Sequence, residues 1–434
     1  MPTGTSAIHI AFSYDPPFSE GQRYHNQMSL SVADPDGPRG VYYLLRDYGI
    51  TISANQATPG FRPGPLPAGR WTIDVDVYRL LPPNDVTYTI DVTLDDTPLE
   101  GEPVLYPRAE RKARGPGWYR GDLHAHSVHS DARWDIPDLV AFAKSQKLDF
   151  VSLTDHNTVS GMAQMESLGT DDLLTMGGME LTTFYGHALT QGTRQWHEWR
   201  LDTPDRFTMP QLAQNAMDSG AFFIIAHPMS PGDPACSGCH WEYQDMRPGN
   251  APAVEIWNRE WGHYNEENLQ LYYEWLNEGH RLVATGGTDL HRHPGEQTPR
   301  YGFNAVFANE LTELAILAAV RRGHSYITAG PELLLTASTE TGVEAMSGDS
   351  FGPMDAEIRV SWKAAPEGTM LRFIVDGAVR EEHAVEAEGA QSWTLARDEA
   401  HWCTIELRDA ENGMWAVSNP IFLDGRKGAG EVLA

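Results

Sequence analysis

Five apolar runs between residues 118 and 330 end in side chains of the types that can bind metals. "WYRGDLHAH" closes on His124 and His126, "FVSLTDH" on His156, "LLTMGGME" on Glu180, "AFFIIAH" on His227, and "LVATGGTDLH" on Asp289 and His291. Helix-like segments alternate with such runs. "IPDLVAFAKSQK" precedes "LDFVSL", "MPQLAQNAMDS" precedes "GAFFIIA", and "YNEENLQLYYEWLNEG" separates "APAVEIW" from "HRLVATGG". "YGFNAVFA" in turn precedes "LTELAILAAVRRG". Repeated strand–helix units of this size predict a parallel α/β barrel or a doubly wound sheet. In either, the C-terminal strand ends share one edge, and active sites are built there. The seven residues are therefore expected to form one cluster.

Local spacing supports the same reading. Residues i and i+2 of a strand point to one face, so His124 and His126 reach a common point, as do Asp289 and His291. Asp131 lies five residues past His126 and His187 seven past Glu180, so each can return from a loop. His129 is three residues beyond His126 and points elsewhere. It reads as a residue behind the ligands or a proton donor. Asp122 and Asp155 precede ligand histidines and are candidate acceptors for imidazole N–H groups; a capping role for Asp155 is an equal alternative.

The flanks have a different grammar. Residues 1–115 alternate apolar and polar positions in short runs ("RWTIDVDVYRLL", "VTYTIDVTLDD") separated by Gly- and Pro-rich stretches, a β-sandwich pattern. "YPRAERKARGPGW" reads as a linker. From 331 to 434 strand patterns return ("AEIRVSWKAA", "MLRFIVDGAV", "HWCTIELRDA"), predicting a second β domain. The barrel region is thus bounded at 116–330. The 434 residues carry 32 basic and 60 acidic side chains, a net charge of -28. Such a chain repels a nucleic-acid backbone, so no nucleic-acid partner is expected. No apolar run is long enough to span a membrane. The start lacks a leader pattern, and three cysteines are too few for a disulfide framework, which leads to the expectation of a cytoplasmic protein.

"DLHAHSVHSD", "LTDHNT", "GMEL", "AHP" and "GTDLH", in this order, resemble the successive motifs of the PHP (polymerase and histidinol phosphatase) metallohydrolases. The resemblance covers about residues 118–330. "GCHW" after the "HP" motif, and "RRGHSYITAGP" with a β domain ending in "SNPIFL", are similar to the carbaryl-hydrolase (CehA/McbA) branch. The resemblance implies an α/β fold: a distorted (β/α)7 barrel flanked by N- and C-terminal β-sandwich-like domains. It also implies up to three metals. One would take His124, His126, Glu180 and Asp289; a second would share Glu180 and add His187 and His227; a third would take Asp131, His156 and His291.

Six imidazoles and three carboxylates without a thiolate suit two to three divalent ions of Zn, Mn or Fe. Glu180 between two ions, with Asp289 beside it, places an activated water for hydrolysis. Three divalent ions, three carboxylates and a hydroxide leave a local charge of about +2, which favours a small anionic ester. The expected activity is hydrolysis of small phosphoesters, with carbamate or carboxyl esters as the alternative. A non-catalytic binding or scaffolding module is the rival from another class, and it should lack ligands that this chain retains. Arg259 is a candidate for holding a substrate anion, against an ordinary surface ion pair. Cys236 and Cys239 form a C-x-x-C loop expected to cap the site, with a local bridge as one form; attachment of a c-type haem is the disfavoured alternative. Trp196, Trp199, Trp241, Trp257 and Trp261 could wall a pocket or simply pack the core.

Overall fold

The computed structural model describes residues 1–17, 24–43, 48–81, 85–201, 208–295 and 299–424; residues 425–434, the end of the expected C-terminal domain, lie outside the described residues. The N-terminal region holds β1 (Ala7–Asp15), β2 (Gln27–Asp34), β3 (Gly37–Tyr42), β4 (Tyr48–Ser53), β5 (Thr72–Arg79) and β6 (Thr87–Asp95). They form two antiparallel sheets, β4-β1-β6 and β3-β2-β5. In β1 the side chains of Ile8, Ile10, Phe12 and Tyr14 turn inward at every second position. They meet Met28, Leu30, Val32, Ile50 and Ile52 in one core. The linker that follows has no regular structure and is tied down by its backbone and side chains: Lys112 N–H donates to Asp171 Oδ1 (2.7 Å) and Arg111 Nε to Thr170 O (2.6 Å).

The central region contains β7 (Gly117–Asp122), α1 (Ile136–Ser145), β8 (Phe150–Leu153), α2 (Met162–Ser167), β9 (Leu174–Thr182), β10 (His187–Gln191), α3 (Met209–Asp218), β11 (Phe222–Ile225), β12 (Ala253–Asn258), α4 (His263–Asn277), β13 (Val283–Gly287), β14 (Phe303–Ala308), α5 (Glu313–Arg321) and β15 (Ser325–Thr328). Helix starts follow from the chain. Asp135 and Asp138 form a reciprocal cap at α1, with Pro137 in its first turn, and Thr312 accepts from Ala315 N–H at α5. The strands run side by side in the order β13-β12-β11-β10-β9-β8-β7-β14-β15. Beyond the ends of β7 and β13 the path returns on itself: Asp289 N–H donates to His124 O (2.7 Å) and His126 N–H to Leu290 O (3.1 Å).

The all-parallel expectation needs correction. β7-β8-β9 and β11-β12-β13 are parallel, but β10 runs antiparallel to both β9 and β11, and β14 antiparallel to β7. Only residues 183–186 join β9 to β10. That is too short for the helical crossover a parallel pair requires.

The C-terminal region adds β16 (Glu332–Ser338), β17 (Glu344–Met346), β18 (Ala356–Lys363), β19 (Met370–Val375), β20 (Ala378–Ala384), β21 (Gly389–Leu395), β22 (Trp402–Arg408), β23 (Met414–Ser418) and β24 (Ile421–Phe422). β23, β22, β19 and β20 extend the large sheet beyond β15, so the sheet crosses the boundary expected near residue 330. A second sheet, β17-β16-β18-β21, packs on this extension through Leu335, Ile358, Val360, Phe373 and Ile405. No helix among the described residues is long and apolar enough to cross a membrane.

Two buried asparagines complete the outer edge of β13. Asn304 pairs with Gly286 N–H and C=O (3.0 and 2.6 Å), and Asn419 pairs with Ala284 N–H and C=O (2.8 and 3.1 Å). Asn419 also reaches Ser325 O at 3.1 Å. Replacing it strands two buried backbone groups, at about 1–3 kcal/mol each. Asn419→Ala should therefore lower stability by about 2–6 kcal/mol in chemical denaturation; an unchanged midpoint would show that water takes over both bonds.

Candidate metal centre

The centre is built where the strands end. His124 and His126 follow β7, His156 follows β8, Glu180 lies in the last turnings of β9, His187 opens β10, His227 follows β11, and Asp289 and His291 follow β13. His227, Arg259, Asp289 and Asn157 adopt positive φ (29°, 59°, 48° and 54°). Side chains seldom tolerate that region, and it is characteristic of functional sites held by the surrounding fold. Gly287 is required beside them, because a Cβ there would overlap His124 Cβ and Glu255 Oε1.

Glu180 is fully buried, and five imidazoles surround its carboxylate. Oε2 lies 2.8 Å from His156 Nδ1 and 3.3 Å from both His124 Nε2 and His126 Nε2; Oε1 lies 3.0 Å from His187 Nδ1 and 3.4 Å from His227 Nε2. Asp289 Oδ1 is 3.1 Å from His126 Nε2 and 3.6 Å from His124 Nε2. Farther out, Asp131 Oδ1 is 3.1 Å from His291 Nε2 and 3.5 Å from His156 Nε2. All nine predicted ligands are thus brought together. Their grouping differs in part from the one the resemblance implies: His227 converges with His124 and Asp289, while His187 converges with Glu180 and His156.

These residues fit divalent ions. Glu180 Oε2 and Asp131 Oδ1 are buried without a hydrogen-bond partner. His124 Nε2 and His126 Nε2 approach to 3.1 Å, a span that one ion with bonds of about 2.1 Å can bridge. Buried polar atoms left unmatched are costly unless something binds them.

Burial opposes charge on every group here, but neighbours decide the outcome for most. Glu180 is held well below the usual carboxylate range by His156, His124 and His187. Asp289 is held well below it by Arg259, His124 and His291. Burial, joined by His291 and His156, pulls His126 down to about 3. Against burial, Glu255, Glu180 and Asp289 raise His124 well above the usual imidazole value, and Asp131 and Asp289 raise His291 to about 9.

Other predicted residues fall outside the cluster. His129 Nδ1 faces the Ser160 hydroxyl (2.8 Å) and Gly60 N–H (3.4 Å), away from the ligands. Arg259 donates through Nη2 and Nε to Asp289 Oδ2 (2.9 and 3.1 Å) and lines the cavity above the centre. Asp122 accepts from His124 N–H and from the Thr288 N–H and hydroxyl, and Asp155 from Ser127 and Ser130, so both brace backbone and loop rather than imidazoles. Trp199, Trp241 and Trp257 are buried in the core, and none of the five tryptophans lines the cavity, because packing claims these large apolar surfaces first. Cys236 and Cys239 form a disulfide in the cavity wall, and Ser237 O between them lies 3.3 Å from His187 Nε2.

Sequence reasoning missed Glu255. It lies in β12, accepts from His124 Nδ1 (3.1 Å), His227 N–H (3.2 Å) and Asn258 Nδ2 (3.1 Å), and turns His124 Nε2 toward the ligands. Its signal was available: it is the lone charge in the otherwise apolar "APAVEIW". Thr182, whose hydroxyl lies 2.5 Å from His156 Nδ1, gave none.

No family model matches this chain, and no curated protein does. Among solved structures it is similar to a two-domain protein containing a predicted PHP-like metal-dependent phosphoesterase from Bacteroides vulgatus, with 14% identity over 74% of this chain and 100% of that one and a TM-score of 0.39. An amidohydrolase from Chromobacterium violaceum, solved with bound sulfate and no metal, shows 14% identity over 41% of this chain and 89% of that one, with a TM-score of 0.30. A protein assigned as a metal-dependent phosphoesterase from Bifidobacterium adolescentis shows 17% identity over 41% and 92%, also with a TM-score of 0.30. The case for function rests on the ligand cluster itself.

Two measurements follow from this geometry. His291, raised to about 9, is protonated in the metal-free protein at pH 7.5, whereas a ligating imidazole is neutral. Metal binding at pH 7.5 should therefore release at least one proton per chain, and the release should shrink as pH rises through about 9. Calorimetry in buffers of different ionisation enthalpy reads this directly, and a release independent of pH would contradict it. Glu255→Gln should weaken metal affinity about 10–100-fold, since the amide holds His124 less firmly; unchanged affinity would remove Glu255 from the site.

Proposed function

We propose that this chain is a metal-dependent hydrolase of the PHP type acting on small phosphoesters. The observation that carries the reading is the buried Glu180 carboxylate among five imidazoles, with one oxygen left without a hydrogen-bond partner. The ordered motifs, and a strand path from β7 to β13 that closes at its ligand-bearing end, are consistent with a distorted seven-stranded barrel of that family. His124, His126, Glu180 and Asp289 would hold one ion, His187 and His227 would complete a second with Glu180, and Asp131, His156 and His291 would hold a third. Bound divalent ions supply charge neutralisation at the substrate and a water made acidic near neutral pH.

The chain's own residues do the positioning. Glu255 fixes the ring of His124, and Arg259 keeps Asp289 ionised with Oδ1 turned toward the histidines. The cavity above, of about 930 Å³, is lined by Arg133, Arg259 and Arg292 together with Asp131, Glu180, Glu260 and Asp289. In a protein of net charge -28, three arginines at the cavity, joined by bound divalent ions, would suit an anionic substrate. The absence of tryptophan from the lining is why phosphoesters are preferred here over aryl carbamates of the carbaryl-hydrolase type.

The test is a panel of p-nitrophenyl phosphates and 1-naphthyl N-methylcarbamate at equal metal loading. Phosphoesters should give the higher kcat/KM, and inorganic phosphate should inhibit competitively; the reverse ratio would replace the substrate class while leaving the centre intact. Glu180→Gln should lose at least about 10²-fold in activity together with bound metal. Near-normal turnover in that variant would overturn the reading.

A further inference from the structure

The outermost ligand group is the least enclosed: the side chains of Asp131 and His291 keep 17% and 24% of their exposure, against 0% for Glu180 and His124. His156 is its inner member; its Nδ1 lies 2.5 Å from the Thr182 hydroxyl, and two aromatic rings pack on its own ring. His126 stacks on it from within the central region, with centroids 4.3 Å apart at 18°. The second ring, also at 4.3 Å, is Tyr43, which follows β3 in the N-terminal region and is 2% exposed.

Tyr43 is itself fixed. Its ring meets Tyr78 of β5 edge-on at 5.1 Å. Tyr78 OH accepts from Asn157 Nδ2 at 3.1 Å, so the residue after His156 is gripped from the same sheet. Nearby, the Thr158 hydroxyl donates to Gly60 O at 2.8 Å. The His156–Thr158 turn is therefore clamped between the central strands and the N-terminal sheets. A loop ligand restrained from one side only is free to swing, and ligand freedom is lost affinity.

We propose that the N-terminal β region is a working part of the metal centre, with Tyr43 as the positioning residue that fixes His156 and sets the affinity of the ion held by Asp131, His156 and His291. The inference rests on the metal-hydrolase reading above. It requires the aromatic ring, which makes the contact with His156, rather than the hydroxyl.

The experiment is cobalt(II) titration of the metal-free full-length chain, followed by visible absorption and by elemental analysis after desalting. The wild type should take up three ions. Tyr43→Met, which fills similar space without a ring, should keep two at wild-type affinity and weaken the third at least about tenfold. Tyr43→Phe should restore all three. Loss of packing alone would lower the melting temperature without separating one ion from the others. Should Tyr43→Met fail to fold by circular dichroism, Tyr43→Leu is read in the same assay. Three tight ions in the ringless variant, or equal loss in Tyr43→Phe, overturns the proposal. A wild type holding only two ions also overturns it and spares the Glu180 centre, whereas a wild type holding none fails the metal-hydrolase reading itself.

Discussion

A carboxylate buried among five histidine rings is the constraint that organises this molecule. Glu180 is 0% exposed and lies within 3.4 Å of each of five imidazole nitrogens. Left without cations, such a cluster is a store of unmatched donors and acceptors, and an apolar core of the same volume would be more stable. The fold tolerates it because the strands around it are themselves fully buried and closely packed: every residue of β8, β9, β10, β11, β12 and β13 is buried.

The backbone adapts to that cluster. Left-handed residues at His227 and Asp289 turn the chain sharply where a strand delivers its candidate ligand, and the glycine at 287 lets His124 and Glu255 approach the backbone. The antiparallel β9–β10 hairpin serves the same end. A short turn lets Glu180 and His187 come from adjacent strands of opposite direction, so two candidate ligands to one locus are supplied by eight residues of chain rather than by a crossover.

What could be read in advance followed from periodicity. His124 with His126, and Asp289 with His291, were legible because a period of two dictates a common face. The ends of the apolar runs were legible because burial marks them. The direction of β10 was harder, since "HALTQ" carries no strong strand pattern to mark where β9 ends and a hairpin begins. The tryptophans stayed open between pocket wall and core for a physical reason: proximity in sequence to a candidate ligand says nothing about which side of the strand end a ring packs on, and Trp257 is turned into the core against Gly302. Tyr43 was illegible. It reaches His156 only because two regions far apart in sequence are docked face to face, and no local pattern encodes docking.

The pairing of β15 with β23 makes the central and C-terminal regions one hydrogen-bonded fabric. A cut near residue 330 would expose a raw sheet edge on each fragment and leave the backbone of β13 without Asn419. Exposed edges invite pairing with other chains. The region after residue 330 is therefore not cargo that can be exchanged like a bead on a string: swapping or trimming it rewrites the border of the very sheet that carries the ligands, and any recombination that respects this chain's architecture must inherit both parts together.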